Sequence, residues 1–481
     1  MQKRFFSSLA LSLSLNLLIK PISVLVIDAG VQRVLGNEVY GQYFVLLTLT
    51  LVFNIFLDLG INNFTTRYIA QDESQLNQHV SRVFYLRLIL FLCYAISVFG
   101  TARLIHVASS QYMLLSLLVL NQFLIQSIAF IRSLFAGLHL FKTDTFISVM
   151  DRALLILIMG SGLLFSIPSI TINNFVLAQT ACYFGTFLLA SWLIRNQIKS
   201  LIPVFDAVYI IHILKRSAPY ALLVLLMLLY NRSDVVLLKQ IAKDGNYQAG
   251  IYAQGYRLLD AFYMLGMIFA GLLFPVFSRM IHQRSHELSE LVQVSGKLLI
   301  GGAIGIMFVS MYNGPFLLQF IYGDKVDGQS ITVFVYLMIA FMAMSFNFIF
   351  GTLLTAGGFL RSLNLSALIG VLVSVCFNIF LIPLYGAVGC AIAALITQVV
   401  VSFILVLISV KKLRIYFNVK SLLAFIGFTS SLFAIKMTLN LGSSIQKFLV
   451  DVLIVVVFAF LFSIVDLKSL RKIWQLKEEA Q

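Results

Sequence analysis

Long apolar stretches, separated by short polar connectors, run through almost the whole chain. A helix needs about 20 apolar residues to cross the hydrocarbon core of a bilayer, and the chain reaches this length repeatedly. The pattern predicts an all-α polytopic membrane protein with about 14 transmembrane helices. The predicted spans are residues 7–28, 41–63, 83–102, 111–133, 145–166, 173–194, 218–238, 250–273, 294–314, 330–352, 365–384, 388–410, 421–440 and 448–466.

The connectors indicate how these spans are grouped. The longest connector, 195–217, separates the sixth span from the seventh and is the natural boundary between two halves. We expect an N-lobe at 1–200 with helices 1–6 and a C-lobe at 201–414 with helices 7–12. Helices 13–14 and a cytoplasmic tail follow at 415–481. The first apolar run is longer than the core of a signal peptide, so we expect it to remain as an anchor.

A short motif occurs in both halves. Residues 36–43 read GNEVYGQY and residues 245–252 read GNYQAGIY, so both follow G-N-x-x-x-G-x-Y. Each copy lies in a predicted outer connector that leads into an even-numbered span. Glycine permits a tight turn, and tyrosine is favoured at the membrane interface. The motif residues are Gly36, Gly41, Tyr43, Gly245, Gly250 and Tyr252.

The motif indicates a duplicated six-helix unit. Because six is even, both copies enter the membrane in the same direction, and a pseudo-twofold axis along the membrane normal relates the two lobes. A substrate site is expected between such repeats. The two extra C-terminal helices fall outside the duplication. Three roles stay open for them: peripheral packing, contact with a partner, or holding a lipid tail.

The placement of charge sets the orientation. Only 11% of residues are charged and 60% are hydrophobic, with a mean hydropathy of +0.98. Twenty of the 34 lysines and arginines lie in segments that face the cytoplasm if both termini are inside, and six lie on the opposite side. The positive-inside rule therefore predicts a multi-pass protein with both termini cytoplasmic. Basic loops account for most of the net charge of +15, and we expect no nucleic-acid partner.

Eight further cations lie inside predicted spans. A cation at the centre of a membrane helix costs at least ~2.5–3.5 kcal/mol, and such residues usually face a polar interior. A mostly cationic cavity suits an anionic cargo, because guanidinium and ammonium groups both bind phosphate oxygens. The candidate substrate-binding residues are Lys20, Arg152, Arg232, Arg257, Arg132 and Lys297.

Lys20 is the foremost candidate, because it lies deep in the first span and Pro21 after it is expected to kink the helix. Asp151 and Arg152 are adjacent and therefore point about 100° apart, so they cannot simply satisfy one another on a single face. At least one of them is expected to reach another helix or the cavity. For Arg132 and Lys297 we slightly favour side chains that reach the cytoplasmic headgroups. The same interpretation is given to Arg87 and Lys436.

Acids inside the spans are candidates for ion coupling. Arg232 and Asp234 lie in the seventh span, and Arg257 and Asp260 lie at i,i+3 spacing in the eighth. A structural ion-pair network between the two helices and a substrate or coupling-ion site are equally compatible with this arrangement. The coupling-ion candidates are Asp151, Asp234 and Asp260, with Asp28 and Asp58 also at membrane depth. Asp58 fits a structural cap better.

Three segments carry a family resemblance: VLGNEVYGQYFVLLTLTLVFNIFLDLGINNFTTRYIAQ at 34–71, DVVLLKQIAKDGNYQAGIYAQGYRLLDAFYMLGMIFAGLLFPVFSRM at 234–280, and NIFLIPLYGAVGCAIAALITQ at 378–398. They resemble Wzx-type polysaccharide or O-antigen flippases of the multidrug/oligosaccharidyl-lipid/polysaccharide exporter superfamily. The resemblance implies a bacterial cytoplasmic (inner) membrane protein that flips undecaprenyl-diphosphate-linked oligosaccharides for O-antigen, capsule or related surface glycans. It also implies alternating access by two lobes.

The same resemblance implies membrane lipids as surroundings and a polysaccharide polymerase and glycosyltransferases as functional partners. We expect no cofactor and no metal, apart from proton or sodium coupling. The lipid II flippase and the multidrug antiporters of the superfamily are alternatives. A membrane-embedded polysaccharide polymerase or acyltransferase is the alternative from another class. The six histidines, in loops or near helix ends, and the short outer loops argue against such an enzyme.

Overall fold

The computed structural model describes residues 14–164, 170–198, 202–283, 287–438 and 445–465. All regular elements within these ranges are helical, which confirms the all-α prediction. Twelve helices of the described part are long and apolar enough to cross a membrane. The predicted cytoplasmic tail after the last span lies outside the described residues.

The helices follow the predicted spans closely from the third span onward. We number them α1 (Ser14–Val52), α2 (Ile61–Gln71), α3 (Leu76–Leu104), α4 (Tyr112–Gly137), α5 (Phe141–Leu164), α6 (Ile172–Ile194), α7 (Ala207–Ile241), α8 (Gly245–His282), α9 (Leu288–Tyr322), α10 (Gly328–Ala356), α11 (Leu360–Tyr385), α12 (Ala387–Leu413), α13 (Val419–Thr438) and α14 (Ile445–Leu461).

Two places account for the difference between twelve spans and the predicted fourteen. The first two predicted spans form the single stretch α1, in which Gly36 has φ 80° and ψ 170°. These non-helical angles favour glycine and divide α1 at a kink. The last predicted span corresponds to α14, which has 17 residues. The number of fourteen crossings therefore stays a prediction, close to the twelve candidate spans of the described residues.

The helix departs from regular α-helical geometry just after Pro21, while the predicted kink at Pro21 itself stays a prediction. Pro21 is followed directly by a π-helical segment, Ser23–Asp28, before regular α-helix resumes. A proline removes one backbone donor, and a π-bulge is one way for a helix to absorb the lost hydrogen bond. Such bulges are frequent at functional sites.

The chain divides into two compact units. The first comprises Met1–Gln240 with Asp244–Gly250, and the second comprises Ile241–Lys243 with Ile251–Gln481. The lobe boundary at residue 200 stays a prediction. In the first unit α4 is central and packs against α1, α2, α3, α5 and α6. In the second, α12 packs on α10 and α11, while α9 packs on α10, α13 and α14.

A polar cluster fastens the start of α7 to α2 and α3. His79 is 1% exposed, and its Nε2 lies 2.8 Å from Thr65 Oγ1. Its Nδ1 lies 2.7 Å from the Tyr209 hydroxyl. Arg82 Nε pairs with Asp206 Oδ2 at 3.2 Å in the connector before α7. The amino end of α7 is thereby part of the first unit, although the repeat places this helix at the start of the second half.

Candidate functional site

The first unit brings together charged side chains from three helices. Lys20 of α1 interacts electrostatically with Arg132 of α4 and with Asp144, Asp151 and Arg152 of α5. Helix α4 supplies the support, because it contacts both α1 and α5. Four residues chosen from the sequence therefore lie in one cluster within the predicted membrane depth.

Two of the three cations in this cluster are paired. Arg132 Nε lies 2.7 Å from Asp144 Oδ1 in the first turn of α5, and both side chains are partly exposed, so the expectation that Arg132 reaches the headgroups stays a prediction. Arg152 Nε lies 3.4 Å from Asp151 Oδ2, so these neighbours interact although they point about 100° apart. Flexible side chains bridge the angle between adjacent positions. Lys20, by contrast, forms no ion pair with any described residue.

Arg152 is also bordered by aromatic and acidic groups. Its guanidinium carbon lies 5.7 Å from the centroid of the Tyr183 ring on α6, a cation–π distance. It interacts electrostatically with Asp28 and Tyr43 of α1. Asp28 lies in the π-helical segment and is 4% exposed. The site thus combines cations, carboxylates and tyrosine hydroxyls, and could bind an anion while retaining acids for a coupling ion.

The tyrosines of the repeated motif are buried. Tyr43 is 1% exposed and Tyr252 is fully buried, so neither ring is free to contact lipid headgroups, and their predicted depth at the interface stays a prediction. Tyr43 accepts a hydrogen bond of 3.3 Å from Gln179 Nε2 and packs edge-on against Phe175. The reason is local: the motif continues as helix in α1 and opens α8, so its residues pack instead of lying in a loop.

The remaining sequence candidates are divided between the two units. Arg232 and Asp234 belong to the first unit, and Arg257 and Asp260 to the second, so a network between them stays a prediction. Arg257 Nη1 lies 3.8 Å from Asp260 Oδ2, as their i,i+3 spacing indicated. Lys297 is half-buried on α9 of the second unit.

Asp58 has the structural role that the sequence favoured. Its carboxylate accepts backbone hydrogen bonds from Gly60 N at 3.2 Å and Asn62 N at 3.0 Å. Gly60 has φ 84°, a conformation that favours glycine, and directly precedes α2. Asp58 therefore caps the exposed backbone donors at the start of this helix.

Two cations interpreted as reaching the headgroups point inward instead. Arg87 donates to Ser127 Oγ at 3.4 Å and lies 4.7 Å from the Phe130 ring of α4. Lys436 forms a buried ion pair with Asp451, both Nζ–Oδ distances being 2.8 Å. In each case the side chain is buried against a partner on a neighbouring helix, so it does not have to extend along the membrane to reach water.

The sequence reasoning missed Asp144, Tyr183 and Asp451. Asp144 and Tyr183 gave no signal of their own, because their relevance depends on which helices become neighbours. Asp451 did give one: it is the single acidic residue of α14, opposite in sign to Lys436 in the preceding helix. Among the described residues no group of three His, Cys, Asp or Glu side chains could hold a metal.

The fold resembles that of known membrane transporters. An inward-facing multidrug resistance MATE family transporter of the MOP superfamily aligns with a TM-score of 0.66 at 15% identity, covering 84% of this chain and 98% of the other. The lipid II flippase MurJ in an inward closed conformation aligns with a TM-score of 0.65 at 16% identity, covering 92% and 96%. At these identities the similarity establishes the fold.

A third match is a MOP superfamily transporter from Pyrococcus furiosus, described as having a binding pocket of reverse polarity. It has a TM-score of 0.53 at 14% identity and covers 84% of this chain and 96% of its own. The class defined by this fold is that of multi-pass membrane proteins with the architecture of MOP superfamily transporters.

The family follows from the sequence itself. The model of the polysaccharide biosynthesis protein family matches residues 7–281, more than half of the chain, and the chain therefore belongs to that family. No curated protein matches the chain.

Proposed function

We propose that this protein flips an undecaprenyl-diphosphate-linked oligosaccharide from the inner to the outer leaflet of the bacterial cytoplasmic membrane. The glycan would serve O-antigen, capsule or a related surface polysaccharide, upstream of a polymerase and downstream of glycosyltransferases. Membership of the polysaccharide biosynthesis family supports this proposal, and so does a transporter fold shared with a lipid II flippase.

The observation that carries the proposal is Lys20 beside two arginines at membrane depth. A diphosphate brings at least two negative charges into a region of low dielectric, where isolated charges are costly. Lys20 offers an ammonium group that is not already in an ion pair with a described residue. Arg132 and Arg152 add guanidinium groups that Asp144 and Asp151 hold in place. Paired arginines bind an anion only moderately, which suits a cargo that must also leave.

An apolar cavity in the second unit supports a lipid-linked cargo. It has a volume of about 310 Å³ and lies among α8, α9, α10 and α14. Its walls are almost entirely hydrocarbon and aromatic, with Ser310 as the polar side chain. We assign it to part of the prenyl tail, because a hydrocarbon chain gains most from such walls. The lining residues include Leu258, Phe262, Val309, Phe334, Phe448 and Val452.

Ion coupling is a further part of the proposal. Asp28 and Asp151 interact electrostatically with Arg152. A proton or sodium ion bound to these carboxylates would therefore change how strongly Arg152 binds the diphosphate of the cargo. Asp234 and Asp260 are the other candidates.

The proposal is tested with purified protein in liposomes and a fluorescent undecaprenyl-diphosphate-linked oligosaccharide. We expect wild-type protein to flip this lipid and Lys20→Ala and Arg152→Ala to lose the activity while staying folded in the membrane. Lys411→Ala is the matched control, because Lys411 is an exposed cation in the last turn of α12.

Two results would count against the proposal. Full flipping by both Lys20→Ala and Arg152→Ala would remove the cationic-site argument. Wild-type protein that flips lipid II or exports a cationic drug, but not the oligosaccharide lipid, would favour the alternative transporters of the superfamily.

A further inference from the structure

Lys436 of α13 and Asp451 of α14 form an ion pair that also engages α9. The Lys436 side chain is 7% exposed and that of Asp451 is 1% exposed. Asn313 of α9 donates from Nδ2 to Asp451 Oδ2 at 2.8 Å. Lys436 Nζ also lies 5.2 Å from the centroid of the Tyr312 ring of α9. One buried carboxylate therefore joins three helices.

Stability alone is a weak reason for such a pair. Buried ion pairs lose the hydration of both charges, and their replacement by well-packed apolar residues is often neutral or stabilising. Hydrogen bonds to a carboxylate, however, are directional and fix geometry. In a helix of hydrophobic residues, which packs acceptably in several rotations, a single polar anchor selects one of them.

The opposite end of α13 is also fastened to α9. Gln293 Nε2 donates to the Tyr416 carbonyl at 3.1 Å, and Asn418 N donates to Gln293 Oε1 at 3.1 Å. Between the two ends, Gly305 of α9 faces Val455 of α14 so closely that a Cβ there would come within 2.5 Å of Val455 Cγ1. The last two helices are thus held against α9 along its length.

The rotation of α14 decides what lines the apolar cavity. Phe448, Val452, Val455 and Val456 of α14 form one side of it. Asp451 lies between Phe448 and Val452 in sequence but points to Asn313 and Lys436. Since neighbouring helix positions point about 100° apart, the anchor at Asp451 sets which side chains face the cavity.

We propose that Lys436 and Asp451 are positioning residues that set the rotation of α14 and so build one wall of the cargo's apolar site. The last two helices are then an integral part of the transport machinery, and neither charged side chain touches the cargo. This inference rests on the proposed function, in particular on the assignment of the cavity to a prenyl chain.

Four variants separate positioning from stability: Lys436→Met, Asp451→Ala, the apolar double variant Lys436→Met/Asp451→Leu, and the exchange Lys436→Asp/Asp451→Lys. We expect each single variant to lower both the melting temperature and the rate of flipping of the undecaprenyl-diphosphate-linked oligosaccharide. The apolar double variant should regain the melting temperature, yet flip about tenfold more slowly than wild type. The exchange should recover part of the rate, because it restores the ion pair.

The cavity is tested separately by filling it. Gly302 lines the cavity and has open space where a Cβ would be, so Gly302→Leu should slow flipping without loss of folding. Gly185→Leu is the control, because Gly185 of α6 is also open but lies outside the cavity. An apolar double variant or a Gly302→Leu variant that flips at the wild-type rate would overturn the inference. Wild-type protein that does not flip the oligosaccharide lipid would instead overturn the proposed function.

Discussion

Gly41 and Gly250 occupy equivalent places in the repeated motif and pack in reciprocal contacts. Gly41 lies against the backbone of Asn246 and Gly250, and Gly250 lies against the backbone of Asn37. Gln32 Nε2 reinforces the crossing by donating to the Gly250 carbonyl at 2.8 Å. The glycine of each copy thus contacts the asparagine of the other copy. Such reciprocity is typical of a twofold-related contact. The glycines serve this close approach more than they serve turns.

A side chain added at Gly41 should destabilise the contact between the two motif copies. In Gly41→Ala the new Cβ would collide with the Asn246 carbonyl, and overpacking of this kind costs about 1–3 kcal/mol. We expect a lower melting temperature of the purified protein. Gly100→Ala in α3 is the control, because no atom lies within 4 Å of a Cβ there. Equal melting temperatures for the two variants would contradict the close contact.

The guanidinium of Arg152 should matter beyond its charge. Arg152→Met is expected to slow flipping at least about tenfold, whereas Arg152→Lys should keep part of the rate, since lysine retains the charge but not the planar fork. The measurement is the initial rate in liposomes. Arg195, which lies 5.3 Å from the Trp192 ring on an exposed surface, supplies the control Arg195→Met. If both arginine-to-methionine variants behave alike, the Arg152 site has no special role.

The cluster around His79 should stabilise the first unit. His79→Ala removes both side-chain hydrogen bonds and leaves the buried Thr65 hydroxyl without this partner, at a cost of about 1–3 kcal/mol. Tyr209→Phe removes one bond and should cost less. The melting temperatures of the two variants show which substitution costs more stability. His282→Ala is the reference, because His282 is exposed. A larger effect of Tyr209→Phe than of His79→Ala would show that the histidine is not the centre of the cluster.

Coupling to an ion gradient should depend on the acids near Arg152. We expect flipping by wild-type protein to accelerate under a proton or a sodium gradient, and Asp151→Asn or Asp28→Asn to remove that acceleration, because the carboxylate would be the ion's ligand. Asp72→Asn is the control, since Asp72 lies exposed in the connector between α2 and α3. Wild-type flipping that ignores both gradients would exclude ion coupling.

Part of the candidate site was readable from residue type and position. Lys20 and Arg152 stand in long apolar runs, where the cost of an isolated charge implies a polar environment whatever the fold. The partner of each charge was not readable in most cases. Asp144 reaches Arg132 only because α4 and α5 pack together, and Tyr183 reaches Arg152 only because α6 packs on α5.

The sequence by itself determined that the chain is helical, spans a membrane many times and repeats a motif in its two halves. Hydropathy and residue spacing are local properties, and a bilayer enforces them strongly because it leaves no other way to satisfy the backbone. Only the tertiary structure decided that the motif tyrosines are buried, that Asp151 and Arg152 pair, and that Lys436 turns inward to Asp451. These outcomes depend on which helices become neighbours, and contacts between helices far apart in sequence are not encoded in any single stretch of it.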